Sequence, residues 1–357
     1  MELSSRIHSE EQETSGVSPR ELGYKMPAEW EKHRRTLISW PVQESMCYPE
    51  DYERVCGGYR ELVRAIAEFE PVSVVVGPDE LDDVKASFQQ MPNVDFVPIE
   101  HSDAWLRDNG PTFIKRGDGA VAGVNWKFNA WGGKYKPWDL DDQVAPKLLS
   151  HFGVPRFDAP LVMEGGSLHV DGEGTLLTTE ECLLNPNRNP HMAREEIQRE
   201  LQAYLGVSRI IWLKRGLDGD ETDGHVDNIA CFASPGKVLM QVCDDPDDEN
   251  FAITQENLAI LRHARDAAGR PLEVIPIQQP PRADYGGKRL TLSYLNFYFV
   301  NGGIILPIFG GAAEHTDREA VKTLQSVFPD RRIRTVDGMA IIKEGGNVHC
   351  TTQQFPE

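Results

Sequence analysis

One thiol sits in a setting that packing alone does not explain. Cys350 lies in Glu344-Gly-Gly-Asn-Val-His-Cys-Thr-Thr-Gln-Gln354, behind a double glycine and ahead of polar residues. A core cysteine usually has apolar neighbours and behaves as a small hydrophobe. A polar, glycine-flanked thiol reads instead as a nucleophile, which needs a cation or a base nearby to become a thiolate. The adjacent His349 is the obvious base, but in a strand neighbouring side chains point to opposite faces. On that reading His349 turns away from Cys350.

Three other segments carry groups that could serve such a thiol. In Asp223-Gly-His-Val-Asp-Asn228, an extended backbone would put His225 and Asp227 on one face, as an acid/base and a cation anchor. A half metal site or a solvated strand is the blander alternative. In Ala104-Trp-Leu-Arg-Asp-Asn-Gly-Pro111, the Asn-Gly-Pro turn puts Asp108 at a strand mouth with Trp105 close by. That tryptophan could wall a pocket or stack on a planar cation, or simply pack in the core. Glu164 precedes Gly165 and Gly166, which would let backbone approach a ligand closely; a turn with a surface carboxylate is the alternative. One thiol, one histidine and three carboxylates suit a planar, delocalised cation, which carboxylates grip bidentately. The constellation points to attack on a guanidinium carbon. No second His/Cys pair stands at metal spacing, and no phosphate-binding glycine loop is found, so neither a metal nor an organic cofactor is expected.

Composition bounds the rest. The net charge of −19 argues against nucleic acid and anionic membranes as partners and favours a cationic substrate. No apolar run reaches membrane-spanning length, and the polar start has no signal-like apolar stretch. The six cysteines (47, 56, 182, 231, 243 and 350) form no CxxC pair, which suits reduced thiols in a cytoplasmic protein.

Positioning these groups falls to an α/β chain. Helical spacing runs through Tyr52, Val55, Tyr59, Leu62, Val63, Ile66 and Phe69. Further helices are expected near 79–90, 141–152, 190–205, 254–268 and 317–328. Strands are expected at 36–40, 72–76, 94–99, 208–212, 272–277 and 332–336. The chain also resembles itself. Met163 to Val170 is similar to Lys343 to Cys350, and hairpins recur after Asp108, Asp227 and Asn296. If about five such units close into a ring, their mouths meet on one axis. Residues 1–23 read as a flexible arm, and residues 24–357 as a single domain.

In order along the chain, several segments resemble the agmatine deiminase family. They are Met26-Pro-Ala-Glu-Trp30, Trp105-Leu-Arg-Asp-Asn-Gly-Pro111, Asn125-Trp-Lys-Phe-Asn-Ala-Trp-Gly-Gly133, Glu164-Gly-Gly-Ser-Leu-His-Val-Asp-Gly172, Thr178 to Pro190, Gly224-His-Val-Asp-Asn228, Ser293-Tyr-Leu-Asn-Phe-Tyr298 and Asn347-Val-His-Cys-Thr-Thr-Gln-Gln354. The resemblance implies a pentein α/β propeller of about five pseudo-symmetric repeats around an active-site axis. It implies Cys350 as nucleophile, His225 as general acid/base, Asp108 and Asp227 as guanidinium clamps, and Glu164 as support for the histidine and substrate. It also implies hydrolysis of agmatine to N-carbamoylputrescine and ammonia, no cofactor, and often a homodimer. Two departures stand out. Glu344 and Thr351 differ from the residues usual around the cysteine, and Gly216 to Gly224 is a variable segment of unassigned role. Both bear on the substrate's tail more than on the chemistry. A deiminase for free arginine, peptidyl-arginine or another guanidine is the alternative, with Arg107 or Arg188 imaginable as partner of an α-carboxylate. An amidinotransferase, or a non-catalytic guanidine-binding protein, would use the same groups.

Overall fold

Val72-Ser-Val-Val-Val76 has no polar face to offer solvent, and it is buried along its whole length. The computed structural model describes residues 16–43 and 51–357; Cys47 and residues 1–15 of the expected arm lie outside them. In the first sheet, β2 (His33–Ser39) pairs antiparallel with the C-terminal strand β19 (Thr352–Pro356) and parallel with β3 (Val72–Val76). Strand β3 then pairs parallel with β4 (Val94–Pro98). Between β2 and β3 runs α1 (Tyr52–Ala67), which buries Val55, Tyr59, Leu62, Val63 and Ile66, the stripe that predicts it.

Four more sheets repeat the plan of an antiparallel pair, a helix and a parallel strand. The first holds β5 (Thr112–Arg116), β6 (Val121–Lys127), α2 (Val144–Phe152) and β7 (Arg156–Val162), with β1 (Tyr24–Lys25) on its edge. The next holds β8 (Leu168–Val170), β9 (Thr175–Thr179), α3 (Arg194–Leu205) and β10 (Arg209–Leu213). Then come β11 (Ala230–Ser234), β12 (Lys237–Val242), α4 (Glu249–His263) and β13 (Glu273–Gln278). A ribbon, β14 (Asp284–Tyr285) with β15 (Lys288–Arg289), precedes the last set. That set is β16 (Tyr298–Val300), β17 (Gly303–Ile308), α5 (Glu314–Val327) and β18 (Arg332–Asp337). The mixed α/β class is as expected, and the parallel step in each sheet requires the intervening helix. Among the described residues, no helix is long and apolar enough to cross a membrane.

Two expected helices differ most in extent. The one expected at 254–268 runs Glu249–His263, because the Asp248 carboxylate accepts from Asn250 N and starts it earlier. The acidic run before it therefore ends in a cap. The helix expected at 79–90 is only a 3₁₀ turn followed by Leu81–Ala86. At the N-terminal side, Arg20 N donates to Ala203 O and Met26 N to Leu205 O, so residues 20–26 lie along the end of α3.

Candidate active site

The groups singled out for chemistry sit on single turns between strands. Leu106–Asn109 is one helical turn and brings in Asp108. Val226–Asn228 is a 3₁₀ turn preceded by His225, and Val348–Thr351 is a helical turn carrying Cys350. Asp108 stands at the mouth of β5, as expected, but the strand settings expected for the other two are corrected: His225 and Asp227 do not share a strand face, and Cys350 precedes β19. Polar residues win there because a turn leaves backbone groups unpaired for side chains to satisfy. Asn296 shows this: its Oδ1 accepts from Asn347 N and His349 N, and its Nδ2 donates to Cys350 Sγ at 3.1 Å.

The structure brings Cys350, His225, Asp108, Asp227 and Glu164 together, all nine-tenths or more buried. Cys350 Sγ lies 3.3 Å from Asp227 Oδ2. Asp108 Oδ2 accepts from Trp131 Nε1 at 2.9 Å, and Asp108 Oδ1 from Gly166 N at 3.0 Å. His225 faces Asp108 Oδ1 at 3.8 Å through Nδ1 and Glu164 Oε2 at 3.6 Å through Nε2. Gly166 explains the double glycine. A Cβ there would come within 2.6 Å of His225 Nδ1 and 3.0 Å of both Asp108 Oδ1 and Asp227 Oδ2. The close approach is thus to the site's own side chains. Gly346 likewise lies against the Trp105 ring, 2.4 Å from where its Cβ would stand.

Charge here follows from crowding. Burial pushes the Cys350 thiol well above its usual range, and Asp227 and Asp108 push it further. Burial, with Asp227 and Glu164 nearby, also pushes Asp108 up to about 6, although His225 opposes this. Burial works against charge on His225 too, but Asp108 and Glu164 outweigh it and hold the imidazolium well above the usual histidine range. Asp227 and Glu164 stay below the carboxylate range despite burial, held by His349 and Arg188 respectively.

A narrow cleft opens at these groups, with Trp105, Asp108, Trp131 and Cys350 on its floor and walls. Tyr135, Glu221 and Thr222 line its other side. The variable segment 216–224 therefore has a place: Asp220 holds the turn through Thr222, and Glu221 stands at the mouth. The two arginines imagined for an α-carboxylate are otherwise engaged. Arg107 is buried against Gln354 Oε1 at 2.8 Å and Glu29 Oε1 at 3.4 Å. Arg188 donates to Glu164 at 2.8 Å and pairs with Asp223.

Several contributors escaped the sequence reading. Trp131 sits with φ of 54°, left-handed backbone that bulky residues rarely adopt, inside a segment quoted only for its resemblance. His349, expected to turn away from the site, instead faces the Asp227 oxygen that Cys350 meets, and Glu29 stands behind it unforeseen. Cys182 joins Glu164 and His225 in a group whose donor atoms lie within 4.8 Å of one another. Three donors from separate segments leave no spacing signal in the sequence. Arg188, bound to the same glutamate, sets a fixed positive charge beside this group and opposes a metal ion.

Comparison with known proteins places the chain in a family. The family model of the Porphyromonas-type peptidyl-arginine deiminases matches residues 25–356. The agmatine deiminase of Pseudomonas aeruginosa is 45% identical, with 95% of this chain and 97% of that protein covered. Among solved structures, the agmatine deiminase of Enterococcus faecalis superposes with a TM-score of 0.90 at 35% identity, covering 96% of this chain and 98% of that one. A substrate-bound cysteine-to-serine variant of the C. jejuni agmatine deiminase superposes with a TM-score of 0.86 at 29% identity, covering 94% and 96%. The chain belongs to the Porphyromonas-type peptidyl-arginine deiminase family.

Proposed function

We propose that this family member hydrolyses agmatine to N-carbamoylputrescine and ammonia through a covalent intermediate on Cys350. The carrying observation is a thiol 3.3 Å from one buried carboxylate, in a cavity that a second carboxylate also lines. Asp108 and Asp227 clamp the guanidinium, and its charge offsets theirs, so the thiol loses its proton to solvent as the cation binds, a proton the released ammonia later takes up. The thiolate attacks the guanidinium carbon. Protonated His225, supported by Glu164, donates to the departing ammonia and leaves an S-alkylthiouronium. His225, now neutral, then takes a proton from water as that water attacks the same carbon. The ureido product departs and the thiol is restored. Buried, pre-oriented charges act here far more strongly than on a surface.

The amine-ended substrate is favoured by what surrounds the mouth. Arg107 and Arg188 are committed elsewhere, and the charged side chain lining the cavity beyond Asp108 is the carboxylate Glu221, which accepts from Lys288 and Tyr135 and would offer the amine a shared acceptor. The Pseudomonas aeruginosa and Enterococcus faecalis relatives carry the same named activity. The five larger sheets are read as the blades of a pentein propeller, with their turns at its axis. A homodimer, a cytoplasmic site of action and a role in forming putrescine complete this reading.

The test is ammonia release against agmatine, arginine, a blocked arginyl peptide and simple guanidines, compared as kcat/KM. Agmatine should lead by a hundredfold or more, about 2.7 kcal/mol. Another guanidine in the lead would move the substrate; no turnover with any would leave a binding protein.

A further inference from the structure

His349 is fully buried, yet both of its ring nitrogens meet carboxylates. Nδ1 lies 2.9 Å from Asp227 Oδ2, and Nε2 lies 2.9 and 3.0 Å from the two oxygens of Glu29. An ionised carboxylate only accepts, and a neutral imidazole donates from one nitrogen alone. Either the ring carries both protons or one acid is protonated. Glu29 is kept ionised by Arg107 Nη1, 3.4 Å from its Oε1. The remaining neighbour of Glu29 is His169, whose Nδ1 accepts from Phe232 N at 3.2 Å. His169 therefore carries its proton on Nε2, which faces Glu29 Oε2 at 3.6 Å, and is neutral. Asp227 already accepts from the Cys350 thiol on the oxygen that meets His349. Its other oxygen, Oδ1, is buried without a protein partner.

We propose that His349 is a positioning residue: a fixed imidazolium, held from behind by Glu29, that locks one oxygen of Asp227 and presents the other to the substrate's guanidinium. The assignment rests on reading Asp227 as a guanidinium clamp. A buried acceptor left open is expensive unless a ligand fills it, and it stays aimed only if its partner oxygen is tethered. The ring itself cannot drift. His349 N donates to Asn296 Oδ1 at 3.0 Å, and Arg107 Nε donates to His349 O at 3.3 Å. Glu29 thus reaches the reaction from the segment Met26 to Trp30, through one histidine and one aspartate.

The other charged and titratable groups around this unit are Arg107, His169, Cys231, Cys350, the His225 imidazolium that also acts on Asp227, and Tyr298, whose ring lies 6.0 Å from the Arg107 guanidinium carbon. None of them supplies a second carboxylate to Nε2, so Glu29→Gln removes what makes the double protonation necessary. With the cation gone, Asp227 holds its proton to higher pH and grips the substrate less well.

The test uses the full chain labelled with nitrogen-15 in histidine, without substrate. Wild type should show a buried imidazolium signal, both nitrogens protonated, that persists across about pH 6 to 9. It should survive His225→Gln, vanish in His349→Gln, and become a neutral ring in Glu29→Gln. In kinetics, Glu29→Gln should raise KM more than it lowers kcat. Its acid limb of kcat/KM should move up by about one pH unit or more. Glu29→Asp should recover part of both. A singly protonated His349 in wild type overturns the proposal, as does a Glu29→Gln loss that is equal at every pH. If wild type turns over no guanidine, the clamp reading fails, while the histidine signal still decides the charge on His349.

Discussion

Two aspartates flank one thiol, and the protein treats them differently. Asp108 is held by neutral donors, the Trp131 indole N–H and the Gly166 amide. Asp227 is held by His349. Both are buried among other carboxylates. Burial therefore pushes Asp108 up to about 6, whereas the His349 pairing keeps Asp227 below the ordinary range. The difference teaches that hydrogen bonds from neutral groups orient a buried carboxylate, but a compensating cation is needed to keep it ionised. Asp227 is hydrogen-bonded to its cation at 2.9 Å, whereas Asp108 faces the His225 imidazolium only at 3.8 Å and gains a close cation when the substrate binds. The stability sign follows. Asp108 binds its proton more tightly folded than unfolded, so folding loses stability as pH rises from about 4 to 6, on the order of 3 kcal/mol. For Asp227 the depressed value stabilises the fold at neutral pH, and that contribution is lost as pH falls through it. The Asp108 side is thus strained for function.

Removing the thiol both aspartates flank should have the largest effect. Cys350→Ala should abolish ammonia release while still binding agmatine, measured by calorimetry; full activity in that variant would sink the covalent route. The aspartates should then separate by pH. Asp227→Asn leaves its partners unmatched and should lower kcat/KM on the order of a thousandfold, about 4 kcal/mol, at every pH. Asp108→Asn should match that loss near pH 8, but its penalty relative to wild type should shrink below pH 6, where wild-type Asp108 is itself protonated. Parallel pH profiles for the two variants would erase the distinction.

The sequence makes part of this visible. Val72–Val76 and the Tyr52–Ile66 stripe are read correctly because burial on one face or both leaves a period. Cys350 and the His225–Asp227 pair stand out because their types are unusual for their surroundings. What joins them does not show. A four-residue turn such as Val348–Thr351 is too short to have a period, so strand geometry was the default there, and it hid how His349 reaches Asp227. Glu29 and Cys182 meet the site from turns far apart in the chain, and no local pattern reports which turns face each other across the molecule.

The smallest expected effect probes the neutral side alone. Trp131 packs edge-on against Phe128 at 5.3 Å and Tyr135 at 5.7 Å, contacts a phenyl ring can largely keep. Trp131→Phe therefore removes little beyond one N–H, and Asp108 loses a donor that lowers its proton affinity. The acid limb of kcat/KM should move above pH 6 by less than a full unit. Activity near pH 8 should fall about tenfold, the worth of one buried hydrogen bond to a charged acceptor. The left-handed backbone at Ala130 and Trp131 is held by Asn129, whose Oδ1 accepts from Gly132 N at 2.8 Å, so the ring should keep its place. A limb that stays put would mean the indole positions Asp108 without tuning it. The contrast between a carboxylate tuned by neutral donors and one fixed by a cation would then rest on His349 alone.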